Sequence, residues 1–141
     1  MHGLNISASC GLAVAHGVDL VDLSDFSRLL TEPASIFLDR HFTDQERRTA
    51  GVGVNQASRL AGRFAVKEAV MKALGTGWGE GISFTDVEVI NLETGAPTIV
   101  LHRKLATIQE EAGISNWLVS TSHTASIAMA SVIGLAASGH Q

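Results

Sequence analysis

The stretch that most constrains the fold is residues 56–75, QASRLAGRFAVKEAVMKALG. Leu60, Phe64, Met71 and Leu74 fall at steps of four, seven and three, one stripe of a 3.6-residue helix. Ala, Leu, Met and Lys favour helix, and Gly75 stands where a left-handed C-terminal cap would close it. Glu68 and Lys72 are one turn apart and neighbour each other on one face, so a surface ion pair between them is the plain expectation. Ala61 and Ala65 precede them with room for something to approach.

Around this rod the chain reads as strands, helices, then strands. Residues 13–23, AVAHGVDLVDL, alternate as a strand with Val14, His16, Val18, Leu20 and Asp22 on one face. Asp19 shares the other face with Ala13, Ala15, Gly17 and Val21, and a buried carboxylate there needs a partner, a strand end or a metal. Ser24 is a candidate cap for a helix from Asp25 to near Pro33, and Ile36, Phe37 and Phe42 suggest a second short helix. Thr43 and Glu46 have capping-box spacing for a third, which Gly51–Val54 interrupts. After the long helix, four glycines in residues 75–81 allow the backbone to approach a ligand closely. Residues 84–90 and 97–102 read as strands joined by a turn at 93–96, then a helix over 103–112 stopped by Gly113. Residues 117–122 and 127–133 read as a closing strand pair, with 123–126 the turn. Without regular βαβ alternation, this predicts an α+β domain, a largely antiparallel sheet packed on one long central helix. The expected organisation is an N-terminal extension (1–12), the domain proper (13–135) and a frayed tail (136–141).

Bulk properties exclude several functions. A formal charge of −4 argues against general nucleic-acid binding. A single cysteine, Cys10, excludes an internal disulfide and a cysteine metal cluster, and fits a reducing cytoplasm. The first 18 residues carry no positive n-region, and no apolar run reaches membrane-spanning length, so neither secretion signal nor membrane span is expected. Hydrophobic residues make up 45% and charged residues 17%, an apolar surplus that a subunit interface would absorb.

Three segments together resemble the holo-acyl-carrier-protein synthase family, the small single-domain 4′-phosphopantetheinyl transferases. Gly17-Val18-Asp19-Leu20-Val21 matches its G-x-D-(I/L)-V motif. Arg63 through Gly77 matches R-F-A-x-K-E-A-x-x-K-A-(L/F)-G-T-G at every fixed position. Ser120 through Thr124 matches S-x-S-H-T. Phe37–Glu46 fits F-x-x-R-x-F-T-x-x-E, and Phe84–Val89 fits F-x-D-(I/V)-E-V. The motifs cover roughly residues 14–133, in family order and at family spacing.

The resemblance implies Mg²⁺-dependent transfer of 4′-phosphopantetheine from coenzyme A to a serine of an apo acyl carrier protein, releasing adenosine 3′,5′-bisphosphate. It implies Asp19 and Glu68 as the magnesium carboxylates, and Glu68 and Lys72 as the catalytic pair. Coenzyme A contacts would come from Arg63, Lys67, Lys72, Gly75, Thr76, Gly77, Ser122, His123 and Thr124. It further implies a homotrimer with active sites between subunits, the Ser122–His123 pair reaching over from a neighbour. The chemistry agrees: Mg²⁺ prefers carboxylate, phosphate and water oxygens, and Lys72 would add a point charge on the same phosphates. Deprotonation of the serine could fall to Glu68 or to a metal-bound water; a chelated carboxylate is a weakened base, which favours water. Lys67, seven residues after Leu60, could instead snorkel from the packed face. His16, His41 and His102 have no motif behind them and read as structural or surface residues. The position six after Asp19, where the family often carries arginine, holds Asp25; Arg28, Arg40, Arg47 and Arg48 are the candidates for meeting an acidic carrier. The competing readings are a non-catalytic module that binds coenzyme A or a carrier, and a structural oligomer whose charges merely pair.

Overall fold

The computed structural model describes residues 11–31 and 34–137. Strand β1 (Gly11–Asp22) leads into three short helices, α1 (Leu23–Leu29), α2 (Ala34–His41) and α3 (Asp44–Ala50). The long helix α4 (Gln56–Leu74) follows, then strands β2 (Val87–Asn91) and β3 (Pro97–Leu101). Helix α5 (Lys104–Glu111) and strands β4 (Ile114–His123) and β5 (Ile127–Ala137) complete the chain. The architecture is α+β and every strand pairing is antiparallel, but the strands form two sheets rather than one: β1-β5-β4 and the hairpin β2-β3.

Helix α4 is closed where its sequence says, at Gly75, whose φ of 68° and ψ of 26° are left-handed. The capping box at Thr43 is also present: Glu46 N–H donates to Thr43 Oγ1 (3.1 Å), and Thr43 N–H donates to Glu46 Oε1 (2.8 Å). Several boundaries differ from expectation, among them the start of β4 at Ile114 rather than Trp117. Helix α1 is capped by Asp22, which accepts from Asp25 N–H at 2.9 Å, and not by Ser24. Residues Phe84–Asp86 form a single 3₁₀ turn ahead of β2. β1 begins at Gly11, paired with Ala137, so Gly11, Leu12, Ala136 and Ala137 belong to the folded unit rather than to the extension or the tail. The remaining parts of those segments, 1–10 and 138–141, lie outside the described residues.

Alternation along β1 turns Gly17 and Val21 toward α4 while Val18 and Leu20 stay exposed. Gly17 is what lets the strand touch the helix. A Cβ there would stand 1.9 Å from the Ala69 carbonyl oxygen and 3.0 Å from Ala73 N, backbone atoms that cannot give way. Ala61, Ala65 and Ala69 are fully buried, so the room these small residues leave is filled by the protein itself and not by a ligand. At the other flank an aromatic cluster joins α1, α2 and α4: Phe26 meets Phe37 and Phe64, each at 5.6 Å between ring centroids. His41 belongs to it, stacked on Phe37 at 4.2 Å with Nδ1 2.8 Å from the Phe37 carbonyl oxygen; burial lowers its pKa. The exposed apolar residues Val18, Leu20, Ile127 and Met129 form a contiguous face across β1 and β5, where Leu20 pairs with Met129.

Candidate active site

Because β1 lies against α4, Asp19 and Lys72 meet across 53 positions of sequence. Lys72 Nζ donates to Asp19 Oδ1 at 2.9 Å and to the Val18 carbonyl at 3.2 Å. The hydrogen bond and charge of Asp19 raise the Lys72 pKa, so the ammonium is secured. The lysine side chain is 59% exposed and the aspartate 15%, which leaves the positive end open to a ligand. Glu68, one turn before Lys72, is not its ion-pair partner. Its Oε1 accepts instead from the indole Nε1 of Trp78, at 2.8 Å. The expected Glu68–Lys72 surface pair is thus replaced by two separate contacts, Lys72 with Asp19 and Glu68 with Trp78.

A second feature lies on the β4 side. A cavity of about 380 Å³ is lined by Ser58, Arg59, Gly62, Arg63 and Val66 of α4, by Thr121, Ser122 and His123 of β4, and by Asn91, Gly95 and Pro97 of the hairpin. Two guanidinium groups and a histidine line it and no carboxylate does, so it suits an anion. Arg63 Nε is buried with no hydrogen-bond partner among the described residues, and burial lowers the Arg63 pKa against the opposing pull of Glu46. Arg63, Ser122 and His123 therefore share one cavity, while Asp19, Glu68 and Lys72 do not line it, and β5 separates β1 from β4. Ser122 and His123 are the last residues of β4, paired with Met129 and Ala128, and the turn begins only after them. Arg59, which lines the same cavity and hydrogen-bonds the Ala50 carbonyl at 3.3 Å, was not singled out by the sequence; it lies one turn before Arg63, and that spacing was the available sign.

Other expected contacts need correction. Lys67 is wholly buried and cannot reach coenzyme A, nor does it snorkel. Its Nζ pairs with Glu46 Oε1 at 2.9 Å and donates to the carbonyls of Phe84 (2.9 Å) and Val87. Glu46 Oε2 accepts from Val89 N–H at 2.7 Å, so both ends of the pair are saturated; burial lowers the Lys67 pKa and Glu46 opposes it. The backbone amides of Gly75 and Thr76 are already bound to the carbonyls of Lys72 (3.2 Å) and Met71 (3.3 Å), so they cannot also hold a ligand. Thr124 serves the turn: its Oγ1 accepts from Ser126 and Ile127 N–H, each at 3.1 Å. Arg28 is paired with Asp25, and Arg47 with Asp39, which cancels two of the positive charges proposed for a carrier. Arg40 and Arg48 are exposed. His102 pairs with Glu88 at 3.0 Å and His16 is exposed on β1, both remote in role from the site motifs.

As to metal, no cluster of three or more His, Cys, Asp or Glu is found among the described residues. The donors that are present, Asp19 and Glu68, are two hard carboxylates beside an ammonium group, which fits Mg²⁺ completed by substrate phosphate and water rather than by an all-protein cage.

A family model described as the 4′-phosphopantetheinyl transferase superfamily matches residues 15–130. The holo-(acyl-carrier-protein) synthase of Solibacter usitatus is 41% identical over 122 residues, covering 86% of this chain and 98% of that protein. The crystal structure of the Neisseria meningitidis holo-(acyl-carrier-protein) synthase superposes with a TM-score of 0.78 at 30% identity, over 87% of this chain and 98% of that one. The Helicobacter pylori counterpart, solved in complex with coenzyme A, gives 0.74 at 29% identity, over 84% and 98%.

Proposed function

The chain belongs to the 4′-phosphopantetheinyl transferase superfamily, and from that membership we infer how its own residues carry out the reaction. The protein is a holo-acyl-carrier-protein synthase: it transfers the 4′-phosphopantetheine group of coenzyme A to a serine of an apo acyl carrier protein. In this reaction the serine oxygen bonds to the phosphorus on the pantetheine side of the pyrophosphate. The bond from that phosphorus to the bridging oxygen breaks, and adenosine 3′,5′-bisphosphate leaves with the electron pair.

The observation that supports our assignment of roles is the meeting of Lys72 with Asp19, with Glu68 one turn away. Asp19 and Glu68 would hold Mg²⁺, which when bound offsets the negative charge that builds on the pyrophosphate oxygens. Lys72 places its exposed ammonium beside the same oxygens, held there by Asp19. A carboxylate that holds a metal is a weakened base, so we assign the serine proton to a water rather than to Asp19 or Glu68. Arg59, Arg63 and His123 bind the nucleotide end in their cavity, whose lining has two arginines and a histidine and no carboxylate.

The cavity and the carboxylates lie on different flanks of the chain, and an apolar face covers β1 and β5. We therefore assign the working form to a homotrimer in which the Ser122–His123 cavity of one copy faces the Asp19–Glu68–Lys72 group of the next. The test of the reaction is intact mass of a panel of apo carriers after incubation with coenzyme A and Mg²⁺. One phosphopantetheine is expected on a single serine. Because Arg28 is neutralised by Asp25, carriers with a less acidic docking helix should be modified fastest. No added mass on any carrier contradicts the reading.

A further inference from the structure

We propose that Trp78 is a positioning residue for Glu68, its indole N–H fixing the carboxylate in the orientation that receives Mg²⁺. The inference rests on Glu68 being a metal ligand, as proposed above.

The geometry is a closed bracket that begins and ends on α4. Phe64 lies one turn before Glu68, on the same side of the helix. Its ring stacks on Phe84 at 5.3 Å between centroids and 13° between planes. Phe84 in turn stacks on Trp78 at 3.7 Å and 16°. Trp78 returns to the helix through its Nε1, 2.8 Å from Glu68 Oε1. The loop that carries Trp78 is pinned as well. Gly79 and Ile82 exchange backbone hydrogen bonds, each 3.1 Å, and Lys104 Nζ holds the Glu80 carbonyl at 3.1 Å. The indole is thus held both by its stack and by its loop.

That matters because, among the described residues, no other hydrogen bond holds the Glu68 carboxylate. Lys72, the charge nearest in sequence, is turned to Asp19, and among the described residues Trp78 is the side chain that donates to Glu68. A glutamate rotates about three bonds, and an unheld one must be ordered each time a cation binds. A carboxylate has acceptor capacity for about four hydrogen bonds, so one indole N–H on Oε1 leaves Oε2 and part of Oε1 for a metal. Carboxylate ligands are commonly steadied in this way, and removal of the supporting donor typically weakens metal binding about 10–100-fold.

The test uses Trp78→Phe in the full chain, which keeps a ring on Phe84 and deletes the N–H. With coenzyme A saturating and Mn²⁺ as the spectroscopic stand-in for Mg²⁺, free Mn²⁺ is counted by electron paramagnetic resonance. Trp78→Phe is expected to weaken Mn²⁺ binding by at least about 10-fold and to raise the half-saturating Mg²⁺ for transfer by a similar factor. The kcat at saturating Mg²⁺ should stay within about twofold of wild type, since the donor acts on binding of the metal and not on the bond that breaks. Phe84→Leu is the packing control: it should lower Tm while retaining more of the Mn²⁺ affinity. A second measurement needs no change at Trp78. In Trp117→Phe, Trp78 is the one remaining tryptophan of the two in the chain, and its emission should change on adding Mg²⁺ with coenzyme A, a change lost in Glu68→Gln. Wild-type Mn²⁺ affinity in Trp78→Phe, or a loss no larger than that of Phe84→Leu, would overturn the role of Trp78. If Glu68→Gln also binds Mn²⁺ like wild type, the ligand assignment itself falls; if Glu68→Gln loses binding and Trp78→Phe does not, only the positioning role falls.

Discussion

Glu68→Gln is expected to lower the rate of transfer by roughly 10³-fold, the scale on which loss of one preorganised charge-stabilising group acts. The substitution preserves shape, and the amide oxygen still accepts from Trp78 at the place where Oε1 accepts now. Folding should therefore be nearly unchanged. Coenzyme A binding should also survive, because the cavity that we assign to the nucleotide is lined by Arg59, Arg63 and His123 and not by Glu68. The informative comparison is thus kcat from carrier mass against the equilibrium affinity for coenzyme A. A catalytic metal ligand loses the first and keeps most of the second. A wild-type kcat in Glu68→Gln would contradict the metal-ligand role of Glu68.

Glu46→Ala is expected to destabilise the fold by about 3–5 kcal/mol, the range for removing one partner of a buried ion pair. The carboxylate is fully buried and satisfies three donors, Lys67 Nζ, Thr43 N–H and Val89 N–H. Its loss would leave an ammonium ion in the core with the Phe84 and Val87 carbonyls and the Phe42 ring as its near contacts and no carboxylate hydrogen-bonded to it. Urea unfolding should show a lower midpoint with an unchanged slope. The double variant Glu46→Leu with Lys67→Met should recover much of the loss, because it removes both charges and not just one. If Lys67 instead contacted coenzyme A, Lys67→Met would weaken coenzyme A binding and leave the protein as stable as before.

Local chemistry made part of this legible in the sequence. Gly75 marks the end of α4, and Thr43 with Glu46 marks the start of α3, because caps are decided by residues within one turn. The alternation of β1 correctly turned Asp19 toward the helix side with Gly17 and Val21. What the sequence left open depends on contacts across long separations. Spacing put Lys67 on the apolar stripe of α4 but could not show that Glu46, from another helix, would be buried against it. Lys72 had a neighbour in sequence, Glu68, and a different neighbour in space, Asp19, which Gly17 admits by its missing side chain. Trp78 stood in a glycine-rich loop and carried no periodicity, so only the fold connects its N–H to Glu68. The start of β1 at Gly11 is set by the reach of its partner β5 to Ala137, a matter of pairing rather than of local propensity. The docking arginines were visible as charges, but their neutralisation by Asp25 and Asp39 depends on side-chain geometry.

The shared site, a carboxylate–lysine clamp on one copy completed by the Ser122–His123 cavity of another, is tested most directly by mixing two inactive variants. Asp19→Ala and His123→Ala are each assayed alone, then unfolded together in equal amounts, refolded and assayed again. If the site is shared, random assembly restores about a quarter of the wild-type rate, the share of head-to-tail interfaces that combine an intact half from each chain. A mixture no more active than the two variants assayed separately would contradict it, and would place the whole site within a single copy.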